Sequence, residues 1–179
     1  AKIIANANQG VDENPATKPT SRENYVSGIT REYHFQPRPI AEERVENAIK
    51  KRDLRGLGES LHTFQDSYAH DYYIQRGKDN HISGGHYPDK TYNSPDYADV
   101  MAFRTFQYLA QYSGWSQSQI VNTWINVQPV VKEFNRESLG HKSKILRDGI
   151  IIGTKGKNRI VITSSGNVET RWGKSGRSG

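Results

Sequence analysis

The sequence predicts a mainly α-helical domain over residues 1–137, followed by a basic, β-rich tail over residues 138–179. Two observations indicate this fold class. Apolar residues recur at helical spacing through most of the first region, whereas the tail holds short β-branched runs separated by Gly, Lys and Asn. A chain of 179 residues is long enough for one domain with its own core, and it contains no internal repeat.

Five helices are predicted in the first region from apolar spacing and end signals. Pro39 lies in the first turn of the second helix, Asp96 caps the fourth, and Ser116 caps the fifth, which we expect to kink at Pro129. The connections are expected to be irregular, because they are rich in Pro, Gly, Asn and Ser. The predicted helices cover residues 2–10, 41–51, 54–69, 96–112 and 116–137, and the irregular connections cover 12–33 and 75–95.

The tail differs from the helical region in both pattern and charge. Three β-branched runs, at residues 150–152, 159–163 and 168–172, predict a short β-hairpin or meander. Residues 138–179 carry nine Lys and Arg against two acidic residues, whereas residues 1–137 carry 16 basic against 17 acidic residues. The net charge of +6 therefore comes from the tail, which indicates attraction to a nucleic acid or an anionic membrane surface, or simply a solvated segment.

The composition excludes several classes of site. The chain contains no cysteine, so it has neither disulfides nor thiolate ligands, and any zinc must be held by His, Asp or Glu. No HExxH motif, Gly-rich phosphate loop or GxSxG elbow is present. No apolar run approaches the ~20 residues that a membrane-spanning helix needs. The chain begins at Ala1 and its only methionine is Met101, so we expect a fragment of a longer, exported protein.

One helix carries a pattern that indicates metal chemistry. In the segment LHTFQDSYAH, the residues His62, Asp66 and His70 recur every four positions and form one stripe, called the polar stripe below. At about 100° per residue, this stripe is centred roughly 160° from the apolar face of the same helix. Side chains one turn apart can converge on one ion, or a carboxylate can bridge two ions. The alternative is that the stripe is an ordinary solvent-exposed face.

Further histidines lie close in sequence to the polar stripe and favour a metal site. Five of the six histidines fall within residues 34–86. His34 precedes a proline-containing turn, and His86 follows two glycines that allow the backbone to approach a crowded centre. Asp12 ends the first predicted helix, and His81 and Asp89 are additional candidates. Together these side chains form a His/Asp set that is typical of a metal cluster.

Four segments resemble the zinc-dependent phospholipase C family, whose fold is shared with fungal single-strand-specific nucleases. They are IIANANQGVD at 3–12, HF at 34–35, LGESLHTFQDSYAH at 57–70 and GGHYPD at 84–89, and the resemblance covers about residues 1–112. It implies an all-α fold with two zinc ions, or three, in a cleft. The metal ligands implied by the resemblance are Asp12, His34, His62, Asp66, His70 and His86. Asp66 would bridge two metal ions, and Asp12 and Asp66 would be the catalytic carboxylates.

The chain departs from this family at two positions. Well-known members begin with a tryptophan whose amino group and carbonyl bind zinc, whereas this chain begins with Ala1. They also place a carboxylate four residues after the last histidine ligand. This chain has Lys90 at that position, and Asp89, one residue earlier, is the candidate substitute. Two metals are therefore a better supported expectation than three.

The resemblance implies a hydrolase that cleaves phosphoesters with metal-activated water. A phospholipase C acting on a phospholipid headgroup is one form, for which residues 72–74 offer an apolar rim. A nuclease is the alternative, for which Tyr87, Tyr92 and the basic tail offer stacking and charge. The motif also resembles C-terminal toxin modules of secreted bacterial proteins, which would imply an immunity protein as partner. The non-enzymatic alternative is a binding module that zinc stabilises without turnover.

Overall fold

The computed structural model describes residues 1–77 and 88–136 with their side chains, and beyond them only the backbone of four short strands. The described part of the chain is mainly helical, which confirms the mainly α part of the predicted fold class. The helices are α1 (Lys2–Glu13), α2 (Arg22–Ser27), α3 (Ile29–His34), α4 (Arg38–Lys50), α5 (Leu54–Ala69), α6 (Asp71–Ile74), α7 (Pro95–Tyr112) and α8 (Gln117–Arg136), with one 3-10 turn at Thr91–Asn93.

Helix α5 lies at the centre of the fold and carries the polar stripe. Asp53 caps its first turn by accepting hydrogen bonds from the backbone N–H groups of Arg55 and Gly56. Helices α1, α3, α4 and α7 all contact it. The sequence predicts one apolar face and an opposite polar one, and both are covered by neighbouring helices in the structure. The alternative of a solvent-exposed polar stripe is therefore wrong.

The hydrophobic core forms where α4 and α7 pack on the apolar face of α5. Leu57, Leu61 and Phe64 are almost fully buried, and the rings of Tyr68 and Tyr108 contact Phe64 edge-on at 5.3 Å. Burying each large apolar side chain stabilises the fold by about 1.5–3 kcal/mol. Because these residues share a helix with the polar stripe, the core also fixes the position and rotation of the candidate site.

The prediction of an irregular connection over residues 12–33 is wrong, because the structure forms α2 and α3 there. Ser21 caps α2 by accepting a hydrogen bond from the backbone N–H of Asn24. Gly28, with φ of 83°, ends α2 and begins α3. Only glycine adopts this left-handed conformation at low cost, so the two short helices can follow each other directly.

The later helices match the prediction with small changes at their starts. Helix α7 begins at Pro95 after Ser94, so Asp96 lies in its first turn and is not its cap. Helix α8 passes through Pro129 as one element. Trp124 of α8 packs against Phe103 and Phe106 of α7, with ring centroids 4.9 and 5.5 Å apart. None of the helices in the described residues is long and apolar enough to span a membrane.

The tail contains four strands: β1 (Ile145–Leu146), β2 (Gly149–Lys155), β3 (Asn158–Thr163) and β4 (Val168–Trp172). They pair in the order β1-β2-β3-β4, and each neighbouring pair is antiparallel. The register is Ile150 opposite Ile162 in one pair and Ile160 opposite Thr170 in the next. The segments that join the strands lie outside the described residues, so the hairpin or meander stays a prediction for the tail as a whole.

Candidate metal centre

Asp12 reaches the centre from the last turn of α1. The neighbouring Val11 is buried and anchors this turn, while the Asp12 side chain remains 47% exposed. The chain then turns back, and the Thr17 hydroxyl donates a hydrogen bond to the Val11 carbonyl at 2.8 Å. This turn places both the Asp12 carboxylate and the Thr17 backbone beside the end of α3.

His34 is the last residue of α3, and its ring is 1% exposed. Its Nε2 lies 3.1 Å from the carbonyl oxygen of Thr17, which can only accept, so Nε2 carries a proton and donates it. In the neutral ring, Nδ1 therefore keeps its lone pair and faces the other candidate ligands. A hydrogen bond of this kind at the second ring nitrogen orients a metal-binding histidine.

His62 and Asp66 lie one turn apart on α5 and point at the same place. The Nε2 of His62 lies 3.3 Å from Asp66 Oδ2 and 3.1 Å from His34 Nδ1. Asp66 Oδ2 also lies 3.0 Å from His34 Nδ1. Helical spacing predicts the first of these distances, whereas the others result from α3 packing beside α5.

Asp12, His34 and His62 offer ligand atoms that lie within 4.8 Å of one another, and Asp66 contacts both histidines; these four residues are called the four-donor cluster. Asp12 Oδ1 lies 3.8 Å from His34 Nδ1 and 3.5 Å from His62 Nε2. Zinc binds nitrogen and oxygen at about 2.0–2.2 Å, which places the ligand atoms of a tetrahedron about 3.3–3.6 Å apart. The ligand atoms of Asp12, His34 and His62 are 3.1–3.8 Å apart, close to that value. These three residues therefore have the spacing to hold one ion, with the Asp66 carboxylate beside them.

The electrostatics of the cluster favour a positive charge at its centre. Burial alone would raise the pKa of the Asp66 carboxyl, but its polar contacts with the His34 and His62 rings and the charges of His62 and His70 hold it below its usual range. Burial lowers the pKa of His62, yet its hydrogen bond with Asp66, the charges of Asp66 and Asp12 and a hydrogen bond to the Asn8 backbone shift it upward overall. Such a group of lone pairs is stabilised by protons or by a metal cation.

The lower end of the polar stripe forms a second, smaller group. His70 follows the last residue of α5, and its ring is 2% exposed. Its Nε2 lies 3.4 Å from Asp89 Oδ1, and the ring of Phe35 packs on it at 4.9 Å. The structure therefore places the Asp89 carboxylate beside His70.

The two groups line one cleft of about 250 Å³. Asp12, His34, Asp66, His70 and Asp89 all reach its surface. Beyond these candidate ligands, the cleft wall includes a cationic side chain, hydroxyl groups and an aromatic ring that is half exposed. These residues are Lys90, Thr91, Ser94 and Tyr97.

Three predicted residues fall outside the described part of the chain, namely His81, His86 and Tyr87. The described cleft is not lined by the arginines that flank His34 in sequence: Arg38 stacks on Tyr68 at 3.9 Å, and Arg44 donates to the Glu32 carbonyl at 2.7 Å. Tyr72 is 60% exposed and lies under Arg76, which stacks on its ring at 3.7 Å.

Several residues that support the centre are not evident from the sequence. The buried side chain of Asn24 donates to the carbonyls of Pro15 and Lys18, at 2.9 and 3.2 Å, and so fixes the turn that carries Thr17. Asn8 donates to Gln65, whose side chain lines the cleft. The signals available were Ser21 and Gly28, which mark the short helix holding Asn24.

Comparisons with protein-family models, with curated proteins and with solved structures find no match to this chain. The resemblance to zinc-dependent phospholipases C therefore stays a prediction. The candidate metal centre is supported by the geometry of its own residues, above all by the convergence of Asp12, His34, His62 and Asp66.

Proposed function

We propose that this protein is a zinc-dependent phosphoester hydrolase, similar to phospholipase C. Its active site would be the cleft lined by Asp12, His34, Asp66, His70 and Asp89. The observation that carries the proposal is the four-donor cluster, in which side chains from α1, α3 and α5 converge at 3.0–3.8 Å. Its members are separated by up to 54 positions in sequence, from Asp12 to Asp66. A chance surface grouping would not bury two imidazole rings to 9% exposure or less beside a carboxylate.

The donor set fits zinc by its chemistry as well as its spacing. Two imidazoles and the Asp12 carboxylate supply nitrogen and oxygen ligands, Asp66 contacts both imidazoles, and the chain has no thiolate to offer. The His34 ring is already held in the tautomer that leaves Nδ1 free to bind. His70 and Asp89 supply two more donors in the same cleft, so we propose a second ion there, with Asp66 between the two.

When bound, zinc lowers the pKa of a coordinated water to about 7 and polarises phosphoryl oxygens. The chain's own residues supply the rest. Asp12 is the most exposed member of the four-donor cluster and lines the cleft, so its second carboxylate oxygen can accept a hydrogen bond from the attacking water. Lys90 lines the cleft, and its ammonium group can neutralise phosphate charge.

A nuclease is the second candidate for the same cleft. Tyr97 lines it and is 50% exposed, which makes the ring available to stack on a base. Lys90 also lines this cleft, and its positive charge suits a phosphodiester backbone better than a cationic lipid headgroup. The basic tail would add a contribution that weakens steeply with salt.

A zinc-stabilised binding module is the non-enzymatic alternative, and the number of ligands favours it in one respect. Structural zinc has four protein ligands, whereas catalytic zinc keeps a position open for water. The four-donor cluster offers three ligand atoms within 4.8 Å of one another, and Asp66, which contacts both histidines, is the fourth candidate ligand. If all four bound one ion, catalysis would require either that Asp12 leave its position or that His70 and Asp89 hold a second ion with a position open for water.

The test is metal analysis of the chelator-washed full chain, reloaded with zinc, together with hydrolysis of a phosphocholine diester and of single-stranded DNA. The His62→Ala variant should lose turnover and keep its helical content. His141→Ala, which changes the one histidine outside residues 34–86, is the matched control. Two ions with turnover support the hydrolase, and the preferred substrate separates lipase from nuclease. One tightly held ion without turnover supports the binding module. Less than one ion, with no activity on adding zinc, would contradict all three.

A further inference from the structure

Helices α1 and α5 approach each other more closely than ordinary side chains allow, one helical turn away from the four-donor cluster. A Cβ atom at Gly58 would lie 2.7 Å from the Cβ of Ala7 and 3.1 Å from the backbone nitrogen of Asn8, and it would overlap the carbonyl oxygen of Ile4. Carbon atoms in van der Waals contact are normally about 3.5–4.0 Å apart. Glycine is therefore required at position 58 for α1 to lie where it does.

A side-chain amide fixes the same contact. Asn8 Nδ2 donates to the Gly58 carbonyl at 3.3 Å and to Gln65 Oε1 at 3.2 Å. Gln65 continues towards α7, where it donates to the Thr105 hydroxyl at 3.5 Å. These polar contacts set the register between the two helices.

This contact and the metal-binding contact are offset by one turn in both helices. Asn8 lies four residues before Asp12 on α1, and Gly58 lies four residues before His62 on α5. Asp12 is the only candidate ligand on α1 within the described cluster. Its distance to the other ligands therefore depends directly on how α1 sits against α5.

We propose that Gly58 and Asn8 are positioning residues that hold α1 close enough to α5 for Asp12 to share a metal ion with His34 and His62. The inference rests on the metal centre of the proposed function. Two ligands of one zinc ion can be at most about 4.2 Å apart, twice the bond length. Asp12 Oδ1 is already 3.8 Å from His34 Nδ1, so a displacement of about 1 Å takes Asp12 out of reach.

The test uses Co²⁺ as a spectroscopic probe in the full chain. Gly58→Ala should lower the Co²⁺ affinity by about 10–100-fold, the range for outer-shell changes, and weaken the visible absorption bands of a four-ligand site at saturation. The control is Gly10→Ala, the same change on α1 near Asp12, where a Cβ meets nothing within 4 Å. It should raise Tm by about 2–4 °C, because alanine favours a helix, and leave the spectrum unchanged.

A second pair of variants, one test and one control, keeps the experiment decisive if Gly58→Ala does not fold. Asn8→Ala removes the amide without crowding the contact and should lower the Co²⁺ affinity about tenfold. Asn6→Ala changes an exposed residue of the same helix and should leave the Co²⁺ affinity unchanged. Wild-type affinity and spectrum in folded Gly58→Ala and Asn8→Ala would overturn the positioning role alone. No Co²⁺ or zinc binding by the wild-type chain would overturn both this proposal and the proposed function.

Discussion

The two ends of the polar stripe differ in how completely the described structure surrounds them. At the upper end, His62 and Asp66 meet Asp12 and His34, which arrive from two other helices. At the lower end, His70 meets Asp89 from the segment before α7. Both ends share one cleft, yet among the described residues only the upper end brings a carboxylate and two imidazoles within 4.8 Å of one another. We therefore propose the upper end as the primary metal site and the lower end as the secondary one.

The largest effect on zinc affinity is expected from Asp66→Asn. Asp66 contacts both histidines of the upper end, and its carboxyl also interacts with the charge of His70. We expect the zinc affinity to fall by at least about a hundredfold, more than for an outer-shell residue. Competition with a chromophoric chelator measures it. Asp71→Asn removes the same charge on α6, where Asp71 accepts from Gln75, and serves as control. Equal affinities of the two variants would contradict the central role of Asp66.

His70→Ala sharpens the comparison by removing the lower end alone. We expect one of two zinc ions to be lost, phosphoester turnover to fall by about a hundredfold, and the tighter ion to remain. Metal analysis after gel filtration at low zinc measures the stoichiometry. Loss of both ions would show that the two ends bind as one unit, and the ranking proposed here would then be wrong.

Asn24→Ala tests the support behind His34. The buried Asn24 amide holds the turn whose Thr17 carbonyl orients the ring, through bonds of 2.9 and 3.2 Å. Leaving those carbonyls unpaired should cost about 1–3 kcal/mol of unfolding free energy and weaken zinc binding at the upper end about tenfold. Asn126→Ala, at an exposed position of α8, should change neither quantity. Chemical denaturation and zinc titration measure the two effects.

The smallest effect is expected far from both ends. The Tyr112 hydroxyl donates to the Arg52 carbonyl at 3.1 Å, and the Arg52 guanidinium stacks on the Tyr112 ring at 4.4 Å. This clamp holds Arg52 at a φ of 55°, which is unusual outside glycine. Tyr112→Phe should cost about 0.5–1.5 kcal/mol of stability and leave metal binding unchanged. Weaker metal binding in this variant would show that global stability alone sets the affinity.

The features that the sequence predicts correctly are those set by the spacing of residues within one helix. The apolar spacing of α5 locates the core, and the same spacing places His62, Asp66 and His70 on one stripe. The convergence of Asp12 and His34 on that stripe spans many positions and depends on helix packing. The clustering of histidines in the sequence and the family resemblance both suggested it, whereas helical periodicity did not. The close approach at Gly58 is likewise a property of two helices, which one helix's sequence does not reveal.

The missed helices show a different limit. Residues 12–33 are polar and rich in turn-forming residues, which favours an irregular connection when composition is averaged. The structure instead uses Ser21 as a cap and Gly28 as a stop within that segment. Because α2 and α3 have only six residues each, their helical form depends on capping and tertiary contacts more than on propensity.

The central claim is that one metal ion binds between Asp12, His34, His62 and Asp66. X-ray absorption at the zinc edge, on the full chain loaded with one equivalent of zinc, tests it most directly. We predict a first shell of about four nitrogen and oxygen atoms at about 2.0–2.1 Å, including the scattering of two imidazole rings. A shell without imidazole, or zinc that is removed by gel filtration, would contradict the claim.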